Sequence, residues 1–405
     1  MSLSLIGRNV GESVTLKMNE TFAILKAKGE PVIHLGGGEP KSRAPLDAIT
    51  SIASHLNSGE VRYAPADGTV DMKKAVIRFT RDTYNRTVEP SNVLVSSGAK
   101  QAIMVALQAI LDPQDEVIFP APYWVSYPDM VKLCGAIPVP VVPEDGTFTP
   151  TMKDITQNVS AYTKAIIINS PNNPSGVVYP PDFIREIVEF AEQKGLYLIM
   201  DDIYNKLVFD GVPLANPFDY VKDFSDNSKL IIINGVSKAY AMTGFRIGWA
   251  IGNKHLIKAM SNIQGHQTSG TSILLQKAAI GAINGVQNVV NSLKTTLENN
   301  KRVLVRQLKA FDGVHLIEPQ GAFYTFADFS AYEKDSRKLS NFLLEKVRVL
   351  TVPGAEFGFE GHLRISFCGG IKDINQGIER IKWAIDPNSP NELYIGERKL
   401  VRDWN

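Results

Sequence analysis

In the stretch NGVSKAYAMTGFRIGW, residues 234 to 249, one lysine, Lys238, closes an apolar run, with small residues before it and Arg246 eight positions on. An amine at a buried strand end beside a fixed cation has a depressed pKa and is a better nucleophile, which makes Lys238 a candidate imine-forming lysine. On position alone the commoner case is a surface lysine that opens a loop, because long amines usually reach for water. A second stretch, VLVSSGAKQAI, sets Ser97, Gly98, Ala99 and Lys100 where a strand gives way to a helix. Amides at a helix N-terminus bind anions, so a phosphate would fit there; the alternative is a small-residue turn that serves packing alone. Arg246 offers a further phosphate contact, bidentate and permanently charged.

Lys238 and Arg246 together point to a phosphorylated aldehyde held as an imine, and the candidate is pyridoxal 5'-phosphate. That cofactor is an electron sink only while its ring nitrogen keeps a proton, which requires a nearby carboxylate. The strand LYLIMDDIY delivers Asp201 at its end. An acid in that position is also a common helix N-cap, a role open to Asp202 beside it. Tyr204, three residues on, would if helical share a face with Asp201 and reach the cofactor's phenolic oxygen; otherwise it is a core tyrosine. In INSPNNPSG the prolines and asparagines break a strand, and Asn173 can present its amide to the same oxygen, or the segment is a plain turn. Trp124 in PYWVSYP can stack on a ring or serve as a core or interface aromatic.

These residues need a scaffold of strands ending at a common edge, and the chain has the rhythm for one. Short β-rich runs alternate with helical patterns from NVLVSS through DEVIFP, AIPVPVV, KAIIIN, LYLIM and KLIIIN to RIGWAIG. The strands are nearly all apolar, as burial on both faces of a largely parallel sheet requires. After Asn253 the pattern turns helical, with two helices expected between Ser272 and Phe311. From Val314 a compact α+β unit follows, and the segment before Ala44 lies outside the βα rhythm, free to pack on that unit or on a partner. The tail from Asp386 to Asn405 is too apolar for a disordered segment and too short for its own core, so it should dock.

With 405 residues, 44% of them hydrophobic, the chain can form two domains or one large domain with an appendage. Its 43 basic and 42 acidic side chains leave a formal charge of +1, which favours neither nucleic acid nor an anionic membrane and leaves small molecules as the expected partners. Cys134 and Cys368 lack metal-ligand or redox spacing, so no metal is expected and both read as structural thiols in a reducing compartment. No leader-like pattern opens the N-terminus and no apolar run is long enough to span a bilayer, so a cytoplasmic location is expected.

The motifs GGGEP, YAPADG, SSGAKQA, PYWVSYPDMV, NSPNNPSG, DDIY, GVSKAYAMTGFRIG, PQGAFY and HLRIS follow one another between about Ser13 and Ala384. In that order the chain resembles a class I aminotransferase of pyridoxal-phosphate fold type I, with its closest similarity to the bacterial-type aspartate aminotransferases. The resemblance implies a large cofactor-binding domain over residues 45–300, with a mostly parallel seven-stranded sheet covered by helices. Residues 1–44 and 301–405 would form the smaller α+β domain with an N-terminal arm and C-terminal tail. Lys238 becomes the Schiff-base lysine and the base for the substrate's α-proton. Asp201 partners the ring nitrogen, Tyr204 and Asn173 the phenolic oxygen, and Trp124 the ring face. Ser237, Arg246 and the Gly98–Ala99–Lys100 amides grip the phosphate, while Tyr63 reaches the cofactor of a neighbouring subunit, which implies an obligate homodimer. Arg364 forks onto the substrate α-carboxylate, helped by the Gly38 backbone and Asn173.

Three positions depart from the family's usual motifs: Ser175 and Asp202 stand where threonine and glutamate are common, and Gly235 lacks a hydroxyl that some members use for the phosphate. No arginine lies between Ile247 and Lys301 for a distal carboxylate, the device of the animal-type branch. Lys100 matches the lysine inferred to do this in bacterial-type enzymes, with Ser13 or Thr15 as helpers. Transamination of aspartate or glutamate with 2-oxoglutarate or oxaloacetate, by a ping-pong sequence, is therefore expected. Aromatic amino acids, prephenate and alanine stay open as substrates, as does a same-fold lyase or synthase. A non-enzymatic regulator is not expected, as no helix-turn-helix unit precedes the α/β region and no basic patch suits DNA.

Overall fold

The computed structural model describes residues 3–144, 146–224, 226–395 and 398–404. Its main layer is a seven-stranded sheet. In spatial order its strands are Val93–Ser96, Gly248–Ile251, Leu230–Gly235, Tyr197–Asp201, Thr163–Asn169, Glu116–Pro120 and Ile137–Val141. Gly248–Ile251 runs antiparallel to both of its neighbours, and the other pairs are parallel. Each expected apolar run is one of these strands.

Burial on both faces explains their composition. Ile166 and Ile168 face one core with Val95, Met200, Ile232 and Trp249, while Ala165 and Ile167 face the other with Phe119, Ile199 and Ile233. That is the period of two expected of a strand, with both faces apolar because helices cover both. Ala99–Ile110 and Lys254–Thr268 close one side; Val70–Tyr84, Pro181–Lys194 and Ile273–Asn284 close the other. Pro181–Lys194 shows the local logic: proline opens the first turn, Asp182 and Lys194 complement the helix dipole, and Gly195 ends it at φ +66°.

A second core forms around a four-stranded antiparallel sheet ordered Val352–Pro353, His362–Ser366, Tyr324–Asp328 and His315–Leu316. Helices Ser336–Val347 and Ile371–Ile385 pack on it through Leu343, Ile378 and Ile381. The N-terminal segment joins this layer, since Ile33–His34 pairs in parallel with Val349–Leu350. The tail docks on it too, as a hairpin of Glu392–Ile395 and Arg398–Val401 followed by Trp404. The Trp404 indole stands edge-on to Phe342 and Trp383 and donates to the Ala384 carbonyl at 2.9 Å. Among the described residues no helix is long and apolar enough to cross a membrane.

Candidate active site

Adjacent strands bring their carboxyl ends together, where ligands of open α/β sheets bind. Asn169 and Asp201 are register partners, and Gly235 ends the next strand, three residues before Lys238. Above them lies a cavity of about 520 Å³, which reaches across to the second core. Gly38, Ala99, Lys100, Trp124, Asn173, Asp201, Tyr204, Ser237, Lys238, Arg246 and Arg364 all line it. Gly98 sits behind the wall, and Tyr63 stands apart, 95% exposed.

Lys238 Nζ donates to the Gly38 carbonyl at 2.8 Å. Burial lowers its pKa to about 8, with Arg364 and Arg246 adding to the effect and Cys368 and Glu39 opposing it. Asp201 is 4% exposed, and its two oxygens differ: Oδ2 accepts from Tyr127 Oη at 2.7 Å, while Oδ1 is buried with no partner among the described residues. Burial raises its pKa to about 6 against the pull of Tyr127, the Ile203 amide and Lys238. An unpartnered buried carboxylate oxygen is costly, and a cationic N–H placed against it would relieve the cost. Asn169 fixes the surrounding backbone, donating to the Asp201 carbonyl at 2.8 Å and accepting from the Asn173 amide at 2.8 Å.

Arg364 is only 2% exposed, on an interior strand of the second sheet. Nη1 donates to Asn173 Oδ1 at 2.9 Å and Nη2 to the Gly36 carbonyl at 2.7 Å, while among the described residues Nε is buried without a partner and no carboxylate pairs with the group. A permanently charged fork with spare donor capacity suits an incoming carboxylate. Lys100 Nζ lies 4.9 Å from the Trp124 ring centre and likewise has no carboxylate partner among the described residues. Partial burial, with Arg246 nearby, lowers its pKa. At the helix start, Gly98 has φ +85°, and a Cβ there would lie 2.7 Å from Arg246 Nη2. Only glycine lets that guanidinium lie against the turn; the Gly98 amide itself donates to the Ser96 carbonyl at 2.8 Å, which leaves the Ala99 and Lys100 amides and Arg246 for an anion at the helix start.

Several expectations change in detail. Tyr204 does not lie on a helix: the chain after Asp201 runs in turns, and the Tyr204 hydroxyl meets that of Tyr324 at 3.1 Å. Asp202 is no helix cap, because it is buried and accepts from Tyr84 at 2.8 Å. The missing hydroxyl at Gly235 has a steric cause, since a Cβ there would come within 2.8 Å of the Ile247 carbonyl. Ser175 keeps the hydroxyl of the usual threonine and uses it on Asn172 Oδ1 at 2.7 Å. Of the two proposed helpers of Lys100, Thr15 lines the cavity and Ser13 does not. Sequence reasoning missed Tyr127, Asn169 and Tyr324, though all three lie inside the motifs PYWVSYPDMV, NSPNNPSG and PQGAFY.

The family model for aminotransferase class I and II matches residues 30–381. The chain belongs to this aminotransferase family. It is 38% identical to an aspartate aminotransferase of Streptomyces avermitilis over 384 residues, 92% of this chain and 94% of the relative. It is 36% identical to an aspartate aminotransferase of Bacillus subtilis, across 93% and 97% of the two chains. Among solved structures, the aspartate aminotransferase of Thermus thermophilus with maleate superposes with a TM-score of 0.88 at 32% identity, covering 94% of this chain and 98% of that one. The Rhizobium meliloti aspartate aminotransferase gives 0.89 at 33%, covering 95% and 99%. The chain is thus a pyridoxal-phosphate-dependent aminotransferase of fold type I, acting between amino acids and 2-oxo acids. The residues present fit that cofactor: the Asp201 Oδ1 without a partner among the described residues, Arg246 seated against Gly98 and the low-pKa Lys238 amine face one cavity.

Proposed function

We propose that this aminotransferase moves the amino group between L-aspartate or L-glutamate and 2-oxoglutarate or oxaloacetate. The observation that carries the reading is that, besides Lys238 and Arg246 assigned to the cofactor, the same cavity holds two further cations without a carboxylate partner among the described residues, the buried fork of Arg364 and Lys100 beside Trp124. A dicarboxylate offers one anion to each. The names of the relatives, and the dicarboxylate maleate with the Thermus thermophilus structure, support the same class of substrate.

When bound, pyridoxal phosphate supplies the carbonyl carbon that captures amines and the ring that draws electrons from the substrate's Cα bond. Lys238 anchors it and, as a free amine with a pKa of about 8, takes the proton from Cα and returns it. Asp201 Oδ1 would hold the proton on the ring nitrogen, and Tyr127 fixes that carboxylate through Oδ2. Tyr204 and Asn173 would hold the phenolic oxygen, and Trp124 would cover the ring. Ser237, Arg246 and the Ala99 and Lys100 amides that follow Gly98 would hold the phosphate. Arg364, with Asn173 and the Gly38 backbone beside it, orients the α-carboxylate.

Residues 45–300 serve in this reading as the cofactor-holding domain, and residues 1–44 with 301–405 as the smaller domain that brings Arg364. A homodimer with shared sites is part of the same proposal. It is supported by the 95% exposed Tyr63 and the exposed Leu46, Ile49, Val61 and Val70 nearby in sequence, an apolar surface of the kind interfaces cover. Free thiols at Cys134 and Cys368 suit a cytoplasmic setting.

The test is a donor panel. Aspartate with 2-oxoglutarate should yield oxaloacetate and glutamate in equal amounts, faster than alanine or phenylalanine serves as donor. Product formed without consumption of the acceptor would indicate a lyase, and preference for aromatic donors or prephenate would move the substrate assignment.

A further inference from the structure

Helix Val14–Ala27 forms part of the cavity wall through Thr15, Leu16 and Asn19. It carries none of the groups assigned above to the phosphate, the ring or the α-carboxylate, and its Thr15 is one of the residues expected to help Lys100 with the far carboxylate. Asn19 is tied to His34, whose Nε2 lies 2.8 Å from Asn19 Oδ1. Phe22 of the same helix packs on the imidazole, with ring centres 5.0 Å apart.

The other ring nitrogen decides which atom does what. Nδ1 of His34 accepts from the Gly36 amide at 3.2 Å, and an N–H can only donate, so Nδ1 carries the lone pair. Burial, with Arg364 and Lys41 nearby, drops the imidazole pKa to about 4 and keeps the ring neutral. Its single proton therefore sits on Nε2 and must meet an acceptor, which fixes the Asn19 oxygen toward His34. What remains to Asn19 is its amino group, Nδ2, for which no described protein group acts as acceptor. The Gly36 carbonyl in turn receives Arg364 Nη2 at 2.7 Å, so one backbone residue seats both the arginine and the histidine.

We propose that His34 is a positioning residue that locks the Asn19 amide so that Nδ2 donates to the far polar group of the bound amino or oxo acid. The inference rests on the dicarboxylate reading above, since an alanine-like substrate offers nothing to that donor. Without His34 the amide could turn its oxygen toward the substrate carboxylate and repel it.

The experiment uses the holoenzyme and two variants. In Asn19→Asp the carboxylate still accepts from Nε2–H, so the clasp and the fold stay, but the donor becomes a repelling oxygen. kcat/KM for aspartate should fall roughly tenfold to a hundredfold, mainly through KM, with a several-fold smaller loss for alanine. His34→Gln should erode the preference for aspartate over alanine in the same direction. In histidine-15N-labelled wild type, the resonances lost in His34→Gln should report the Nε2–H tautomer. If the wild type shows no preference for acidic donors, the dicarboxylate reading fails. If the wild type has that preference and Asn19→Asp keeps it, or His34 is the Nδ1–H tautomer, this inference alone is overturned.

Discussion

Replacing Tyr127 by phenylalanine tests how the ring-nitrogen acid is held. The ring should keep its place, as it packs edge-on to Trp124 at 5.4 Å and against Phe119 at 5.9 Å, so the change removes little but the hydroxyl that donates to Asp201 Oδ2 at 2.7 Å. A hydrogen bond to a charged group contributes about 1.5–3 kcal/mol. At 1.36 kcal/mol per pKa unit that is about one to two units. The Asp201 pKa, already raised to about 6, should climb toward roughly 7–8. Only ionised Asp201 can hold a protonated ring nitrogen, so its contribution to cofactor affinity is complete above its pKa and is lost as pH falls through it. In wild type the decline begins near pH 6, and in Tyr127→Phe about one to two units higher. For the apoprotein the sign reverses. A carboxyl whose folded pKa exceeds its ordinary 3.8 stabilises the fold while protonated, and that contribution disappears as pH rises through about 6. The assay is titration of apoenzyme with pyridoxal phosphate between pH 5.5 and 8.5, alongside kcat at pH 8. An unchanged pH midpoint and unchanged turnover would refute the positioning role of Tyr127.

Lys238→Ala should leave a folded protein that still binds the cofactor noncovalently but loses nearly all turnover; borohydride reduction of the wild type followed by peptide mapping should label Lys238, and label on another lysine overturns the assignment. Lys100→Ser should lower kcat/KM for aspartate and glutamate by roughly tenfold to a hundredfold with little effect on alanine or on cofactor affinity, and equal loss for all donors would mean that Lys100 serves the fold or the cofactor instead. Trp404→Ala removes a ring that contacts Phe342 and Trp383 and a donor to Ala384, and should destabilise the small layer by about 2 kcal/mol, read as a lower thermal midpoint with steady-state constants retained.

The residues that sequence reasoning reached are those whose chemistry is written into short motifs. The apolar runs ending in Asn169, Asp201 and Gly235 announce buried strands, and a parallel sheet obliges their carboxyl ends to share an edge, so Asn173, Asp201 and Lys238 could be grouped before any coordinate was known. What escaped are partners chosen by the fold across distances that no local period encodes. Tyr127 lies 74 residues before Asp201, and Tyr84 lies 118 before Asp202. Asp202 spends its carboxylate on a buried phenol, which Asn205 and Asn234 also bond, and so caps nothing. The tail follows the same rule: its apolar residues predicted that it would dock, but Trp404 found its place only once helices Ser336–Val347 and Ile371–Ile385 had brought Phe342 and Trp383 together. His34 shows the limit most sharply. A histidine ending a two-residue strand carries no motif, and its meaning depends on which of its nitrogens meets the Gly36 amide. Motifs thus locate the reacting atoms, whereas the groups that orient those atoms become visible only when the sheets are assembled.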